Sequence, residues 1–177
     1  ETIPMFYSGG SAHGFDGNDT INGTNGADTI YGDKGDDILN GNNGNDVLDG
    51  GVGNDKLYGG NGDDTYIFAK GYGNDIISDS NGKNTIKFSG IKSADVYVTY
   101  PSTGTDAIVT VASTGETLTI KDFRYYEKYR NFTLVFDDKT MSVSDTASPF
   151  VQIEGINSAE TIPMFYSGGS AHGFDGN

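Results

Sequence analysis

One nine-residue phrase, repeated six times without a slip, limits what this chain can fold into more than anything else in it. The pattern G-x-x-G-x-D-x-U-x, with U apolar, occupies Gly14–Asn22, Gly23–Tyr31, Gly32–Asn40, Gly41–Asp49, Gly50–Tyr58 and Gly59–Ile67. Its sixth place is Asp19, Asp28, Asp37, Asp46, Asp55 and Asp64; its eighth is Ile21, Ile30, Leu39, Leu48, Leu57 and Tyr66. With 27 glycines and 34% hydrophobic residues, composition alone would suggest a disordered tract. A disordered chain has no reason to keep register through six cycles.

Places seven to nine, Thr20-Ile-Asn22 for example, make a minimal strand with one inward apolar side chain. Three residues cannot stand alone as a strand, so the copies must stack and bury their column of Ile and Leu. If alternate strands enter two sheets, two phrases make one coil and successive loops fall on opposite edges. Asp19, Asp37 and Asp55 then line one edge, and Asp28, Asp46 and Asp64 the other. The expected fold is all-β: a parallel β-roll, a solenoid, followed by a small β-rich capping or sandwich-like region.

Charge says what such edges need. Net charge is −14, and residues 13–67 hold eleven Asp against Lys34 and Lys56, a net −9. Carboxylates stacked at the strand spacing of ~4.8 Å repel unless a cation lies between them. Oxygen donors without Cys or His select Ca²⁺, because Mg²⁺ tolerates irregular cages poorly. The expected side-chain ligands are the six sixth-place aspartates. Main-chain carbonyls are expected from the fourth place (Gly17, Gly26, Gly35, Gly44, Gly53, Gly62) and the third (Asp16, Asn25, Lys34, Asn43, Val52, Asn61). Six loops leave four sandwiched gaps, hence about four or more ions, and Asp75 offers an end site. Glycine at places one and four is expected to supply positive φ for a tight loop.

The same acidity excludes nucleic acid as a partner, since no basic stripe meets phosphate. The chain has no cysteine, which removes disulfides and thiolate metal sites. No apolar run approaches the ~18 residues of a membrane span. No catalytic signature such as G-x-S-x-G, H-E-x-x-H or a phosphate loop is found, so an enzyme is not expected.

Residues 1–18 recur letter for letter as 160–177, an offset of 159. A tandem array of 159-residue modules would produce this, as would an appended copy; the array also explains why the chain opens mid-phrase. The expected organisation is an N-terminal cap over 1–13, with Met5, Phe6 and Tyr7 covering the first coil. A roll over 14–84 follows, degenerate after Ile67, where Asp75 stands eleven residues after Asp64. A β-rich region spans 85–153, and the start of a next module 154–177. Within 85–153 alternating stretches predict strands at Thr85–Phe88, Ala94–Tyr100, Asp106–Ala112, Thr117–Lys121, Phe132–Phe136, Thr140–Val143 and Phe150–Ile153.

Residues 14–67 resemble the haemolysin-type nonapeptide repeats of RTX proteins, whose calcium-bound form is a parallel β-roll. Residues 85–145, with Leu118-Thr-Ile-Lys-Asp-Phe123 and Val135-Phe-Asp-Asp138, are similar to the β-rich region that follows such repeats. The resemblance implies a calcium-dependent structural module of a large secreted protein, exported unfolded through a type I channel to the bacterial cell surface and folded outside by Ca²⁺. A tandem-repeat adhesin with identical neighbouring modules fits the duplicated ends. Two alternatives stay open. One is a glycan- or partner-binding module using Tyr125, Tyr126 and Arg130, where aromatics stand beside cations. The other is the secretion and folding tail of a secreted RTX enzyme or toxin. His13 and its duplicate His172 are expected at the surface.

Overall fold

The computed structural model describes residues 1–5, 9–79, 81–101, 103–123, 132–144 and 152–154. Tyr125, Tyr126, Arg130, Phe6, Tyr7 and the duplicated 160–177 lie outside these residues, as does His172.

The phrase folds as two sheets facing one another. Odd phrases contribute β3 (Thr20–Asn22), β5 (Ile38–Asn43) and β7 (Lys56–Asn61) to one sheet. Even phrases contribute β4 (Thr29–Tyr31), β6 (Val47–Asp49) and β8 (Thr65–Ala69) to the other. Neighbours within a sheet are parallel and lie 18 residues apart, as in Leu39↔Leu57 and Ile30↔Leu48. Parallel neighbours ordinarily need a long crossover; here one full coil is that crossover, and each loop has only to carry the chain from one sheet to the other.

The core between the sheets is the eighth place. Ile21, Leu39 and Leu57 meet Ile30, Leu48 and Tyr66, each at most 1% exposed. Seventh and ninth places flank it in the pattern of β3, β4 and β6, where only the middle residue is buried. At ~1.5–3 kcal/mol for full burial of an Ile or Leu, this column is the main apolar driving force of the roll.

A further coil precedes the phrases. Strands β1 (Thr2–Pro4) and β2 (Ser11–His13) pair in parallel with β3 and β4. Ile3, Met5 and Ala12 pack against the core from this side. After Ile67 the two inserted residues are absorbed in the turn at Lys70 and Gly71, and the coil length becomes 20: Leu57↔Ile77 and Tyr66↔Ile86. The partners are β9 (Asn74–Ser78) and β10 (Asn84–Ser89).

Both sheets then continue, each by one further parallel strand and then two antiparallel ones. In the first, β9 is followed by β13 (Thr117–Ile120), β12 (Ala107–Val111) and β11 (Val96–Thr99). In the second, β10 is followed by β14 (Phe132–Val135), β15 (Thr140–Ser144) and β16 (Gln152–Glu154). Among the described residues this closes one end of the roll and covers edges that would otherwise invite pairing. Phe88 stacks on Phe136 at 4.5 Å between ring centroids, and Phe68 meets Phe88 edge-on. Phe123 is buried between Tyr100 and Phe132.

The strand expected from Ala94 begins at Val96 instead. Ser93–Asp95 forms a 3₁₀ turn, because Asp138 accepts from the Ser93 amide (2.8 Å) and hydroxyl (3.0 Å) and holds the chain in a bend. No helix of the described residues is long and apolar enough to cross a membrane.

Candidate metal centre

The sixth-place aspartates form two ladders, one along each edge. Each donates its backbone amide to Oδ1 of the aspartate one coil on: Asp19 to Asp37 (2.7 Å), Asp37 to Asp55 (2.8 Å) and Asp55 to Asp75 (2.9 Å). Along the other edge Asp28 donates to Asp46, Asp46 to Asp64 and Asp64 to Asn84, each at 2.8 Å. The structure thus brings together the six aspartates in two rows of three and extends the rows by Asp75 and Asn84. All eight side chains are buried, none more than 5% exposed.

One oxygen of each carboxylate has no partner. Oδ2 of Asp19, Asp37, Asp46, Asp55, Asp64 and Asp75, and Oδ1 of Asp28, are buried and receive no hydrogen bond. A buried acceptor left unpaired costs ~1–3 kcal/mol, more when charged, so seven in one domain call for a partner that the protein does not supply. A cation is the partner that fits. Among the described residues no three His, Cys, Asp or Glu side chains converge on a point, so each gap offers few carboxylates.

The first-place glycines show which main-chain oxygens lie nearest the unpaired carboxylate oxygens. A Cβ added to Gly41 would fall on Asp46 Oδ2 and lie 2.7 Å from the carbonyl oxygen of Gly59. One on Gly32 would fall on Asp37 Oδ2 and the carbonyl of Gly50. The orphaned oxygen therefore shares a small space with a first-place carbonyl from the next coil. These carbonyls, of Gly50 and Gly59 among others, were not among the expected donors; the coil length alone, once known, would have found them. The third-place carbonyls of Lys34, Val52 and Asn61 each accept the fourth-place amide of the preceding coil, from Gly17, Gly35 and Gly44 at 2.8–2.9 Å. Each keeps one lone pair for a further partner.

The reason for glycine differs between the two places. At the fourth, backbone geometry requires it in every phrase but the second: Gly35 has φ 131° and Gly44 φ 126°, whereas Gly26 is not left-handed. At the first, none of the six phrase glycines is in the left-handed region, so the expectation of positive φ there is corrected: glycine is needed for space. The second place, which the sequence leaves variable, is left-handed at Phe15, Asp33, Asn42, Gly51 and Gly60 (φ 69° to 106°). Thr24 is the exception, and its loop is built differently. Gly26 gives its amide to Thr24 Oγ1 (3.1 Å), in place of the inter-coil bond made by Gly17, Gly35, Gly44 and Gly53.

Burial and like charge push five of the ladder carboxyls up. Burial is the larger cause in each case, the amide bond of the ladder opposes it, and neighbouring carboxylates add to it. Asp37 and Asp46 are raised, Asp55 to about 6, and Asp75 to about 8. Asp64, raised by burial and further by Asp79, reaches about 7. Asp79 itself carries no signal in the repeat pattern, since it follows the last clean phrase. Asp49, in the ninth place, is also raised by burial, with Tyr72 as hydrogen-bond partner, and has a buried unpaired Oδ1. His13 stacks on Tyr31 (4.4 Å) and faces Asp33 at 3.0 Å, at the surface as expected.

Comparison with known families agrees with the geometry. The family model described as the RTX calcium-binding nonapeptide repeat (4 copies) matches residues 13–48 and 40–72. Comparison with curated proteins gives no match. Among solved structures the chain is similar to the solution structure of the AlgE6R3 subunit from the Azotobacter vinelandii mannuronan C5-epimerase. The two are 27% identical with a TM-score of 0.53, over 85% of this chain and 93% of that one. Phrase, ladder and match coincide on the same residues: residues 13–72 carry RTX calcium-binding nonapeptide repeats, and the fold is a parallel β-roll.

Proposed function

We propose that this chain is a calcium-dependent structural module of a large secreted RTX protein, a tandem-repeat adhesin or surface protein, that folds on extracellular Ca²⁺ after type I secretion. The observation that carries the reading is the row of buried carboxylate oxygens without a donor. The gaps of phrases one–three, three–five, two–four and four–six each take an ion. The sixth-place aspartates serve as side-chain ligands, with loop carbonyls completing the shells and Asp75 at an end. When bound, the ion supplies positive charge between stacked carboxylates; the protein's part is to position the oxygens, exclude water and keep the ladders in register.

Linkage gives the scale. A ligand that binds only the folded state contributes ~2.7 kcal/mol at a hundred times its Kd, so four ions offer ~10 kcal/mol. That rivals the whole stability of an ordinary domain, ~5–15 kcal/mol. Below that calcium concentration, a roll with raised aspartates and three-residue strands does not offset its ordering entropy. Inside a cell the chain stays open for export; outside, it closes. Circular dichroism with and without a chelator tests this: the β signal is expected to collapse in chelator and return with Ca²⁺. A spectrum indifferent to chelator would overturn the reading.

A second reading, the folding and secretion module of a secreted enzyme, is favoured by one observation: the similar solved structure is itself a subunit of an epimerase. In either setting the carboxylates here hold metal and architecture together, and catalysis belongs elsewhere in the parent protein. A glycan- or partner-binding role through Tyr125, Tyr126 and Arg130 would be read from loss of binding on substitution of Arg130.

A further inference from the structure

Beyond the last clean phrase the coil length of 20 assigns each residue its place. Asp79 stands one coil after Gly59, Gly82 after Gly62, and Asn84 after Asp64. Gly82 keeps the fourth-place geometry, with φ 118° and its missing Cβ directed at the Gly62 carbonyl. In this turn the carboxylate has moved from the sixth place to the first, and the sixth is a neutral amide.

The move creates a gap unlike those before it. At Asp19, Asp37 and Asp46 the orphaned oxygen faces a first-place glycine carbonyl; here Asp64 Oδ2 faces a carboxylate. A Cβ added to Gly59 would lie 2.7 Å from Asp79 Oδ2, and nearer still to Asp64 Oδ2 and the Tyr66 hydroxyl. Three oxygens therefore crowd one point. Asp64 is 1% exposed, its Oδ1 is used by the Asp46 amide, and its Oδ2 has no donor. Tyr66, the one eighth-place residue with a polar atom, is fully buried and donates its hydroxyl to Asp79 Oδ2. The Asn81 amide holds Asp79 Oδ1 at 2.9 Å and fixes the carboxylate's direction.

A buried carboxylate pressed against a half-buried one must share with it either a proton or a cation. We propose that Asp64, Asp79 and Tyr66 form a further Ca²⁺ site, distinct in composition from the gaps between phrases, that closes the even-phrase edge of the roll. Two carboxylates and a phenol oxygen are hard donors suited to Ca²⁺, and the higher local charge makes this site tighter than a single-carboxylate gap. Its position against β10 couples the ion to the first residues of the capping strands, so filling it joins cap to roll. The proposal rests on the calcium reading of the repeats.

Calorimetric titration of the full chain with Ca²⁺ tests it, comparing the parent with Asp79→Asn. The expected result is one ion fewer per chain, with the remaining sites at unchanged affinity. Equal stoichiometry and affinity in the two chains would overturn the site while leaving the repeat sites standing; no binding by either would overturn both. Should Asp79→Asn not fold in Ca²⁺, Tyr66→Phe decides. With Tb³⁺ as the probe, a tyrosine touching the site sensitises lanthanide emission, so Tyr66→Phe is expected to lose a distinct share of the tyrosine-excited signal. Emission unchanged by that substitution would place the ion elsewhere.

Discussion

Thr24 donates twice to one oxygen of Asp28, from its amide at 2.6 Å and from its hydroxyl at 2.9 Å. No other second-place residue is seen to do this among the described residues, and a physical reason is at hand. A β-branched side chain is strongly disfavoured at positive φ, so Thr24 cannot take the left-handed turn of Phe15, Asp33 and Asn42. The loop closes on its own carboxylate instead. Thr24→Gly should release Asp28 and let the loop match its neighbours. Hydrogen bonds to charged groups are worth ~1.5–3 kcal/mol, so the gap between phrases two and four is expected to bind Ca²⁺ about tenfold more tightly, ~1.4 kcal/mol. Calorimetry of the variant would show one site strengthened. Thr24→Val, which removes the hydroxyl but keeps the branch, should recover only part of that gain.

Space at the first place makes a separate prediction. Gly41→Ala puts a methyl onto Asp46 Oδ2 and beside the Gly59 carbonyl. Overpacking of this kind costs ~1–3 kcal/mol, and here it also fills the place of the ion. One calcium site is expected to vanish from the titration, and the melting midpoint in Ca²⁺ to fall. Retention of every site would mean that the Asp46–Gly59 gap holds no ion.

The metal-free roll should respond to pH in the opposite sense to an ordinary domain. Folded values of about 6 for Asp55, about 7 for Asp64 and about 8 for Asp75 lie above the ordinary carboxylate range. Between about pH 4, the unfolded value, and these folded values, the folded state holds more protons than the unfolded one. Stability in chelator is therefore fullest at low pH and falls as pH rises through that window. Calcium competes with the same protons, so its affinity rises over the same range. Any β-type circular dichroism that survives in chelator should therefore be greatest near about pH 4.5 and gone by about pH 8, whereas in Ca²⁺ it should hold across that range; a chelator signal that grows with pH would contradict the raised values.

Leu48→Ala tests the core. Leu48 is fully buried between its sheet neighbours, and such truncation costs ~2–5 kcal/mol. The loss is expected in chemical denaturation at saturating Ca²⁺. Because coils are stabilised by their neighbours, calcium affinity should drop at the adjoining gaps as well. A loss confined to stability, with titrations unchanged, would show that the core and the edges are uncoupled.

The strict phrase made the roll, the two-sheet alternation and the two aspartate rows readable in advance, because period and burial follow from one repeating unit. It could not reveal why glycine recurs at the first place, since space and φ leave the same letter. Nor could it show that the second place has a preferred conformation, which only the contrast of Thr24 with Asn42 exposes. Asp79 was hidden for a different reason. The two-residue insertion after Ile67 breaks the nine-residue count, and only strand pairing, Thr65↔Thr85, restores the frame that assigns Asp79 its place. The antiparallel strands were legible from alternation, but their attachment as continuations of the roll's own sheets was not, because that depends on which edges remain unpaired.

Among the described residues one end of the stack is finished by antiparallel strands and stacked rings, the other by two strands of three residues, β1 and β2. The solenoid is thus a zip with one sewn end. Coils near β9 and β10 have neighbours on both sides and a fixed anchor, whereas among the described residues β1 and β2 are paired only with β3 and β4. In residues 1–177 taken by themselves, opening should start at Thr2–Pro4 and Ser11–His13 and move inward, and closing should run the other way. Amide exchange would then grade along the axis, fastest in the first coil and slowest beside the capping strands, giving this stack of near-identical units a direction in time.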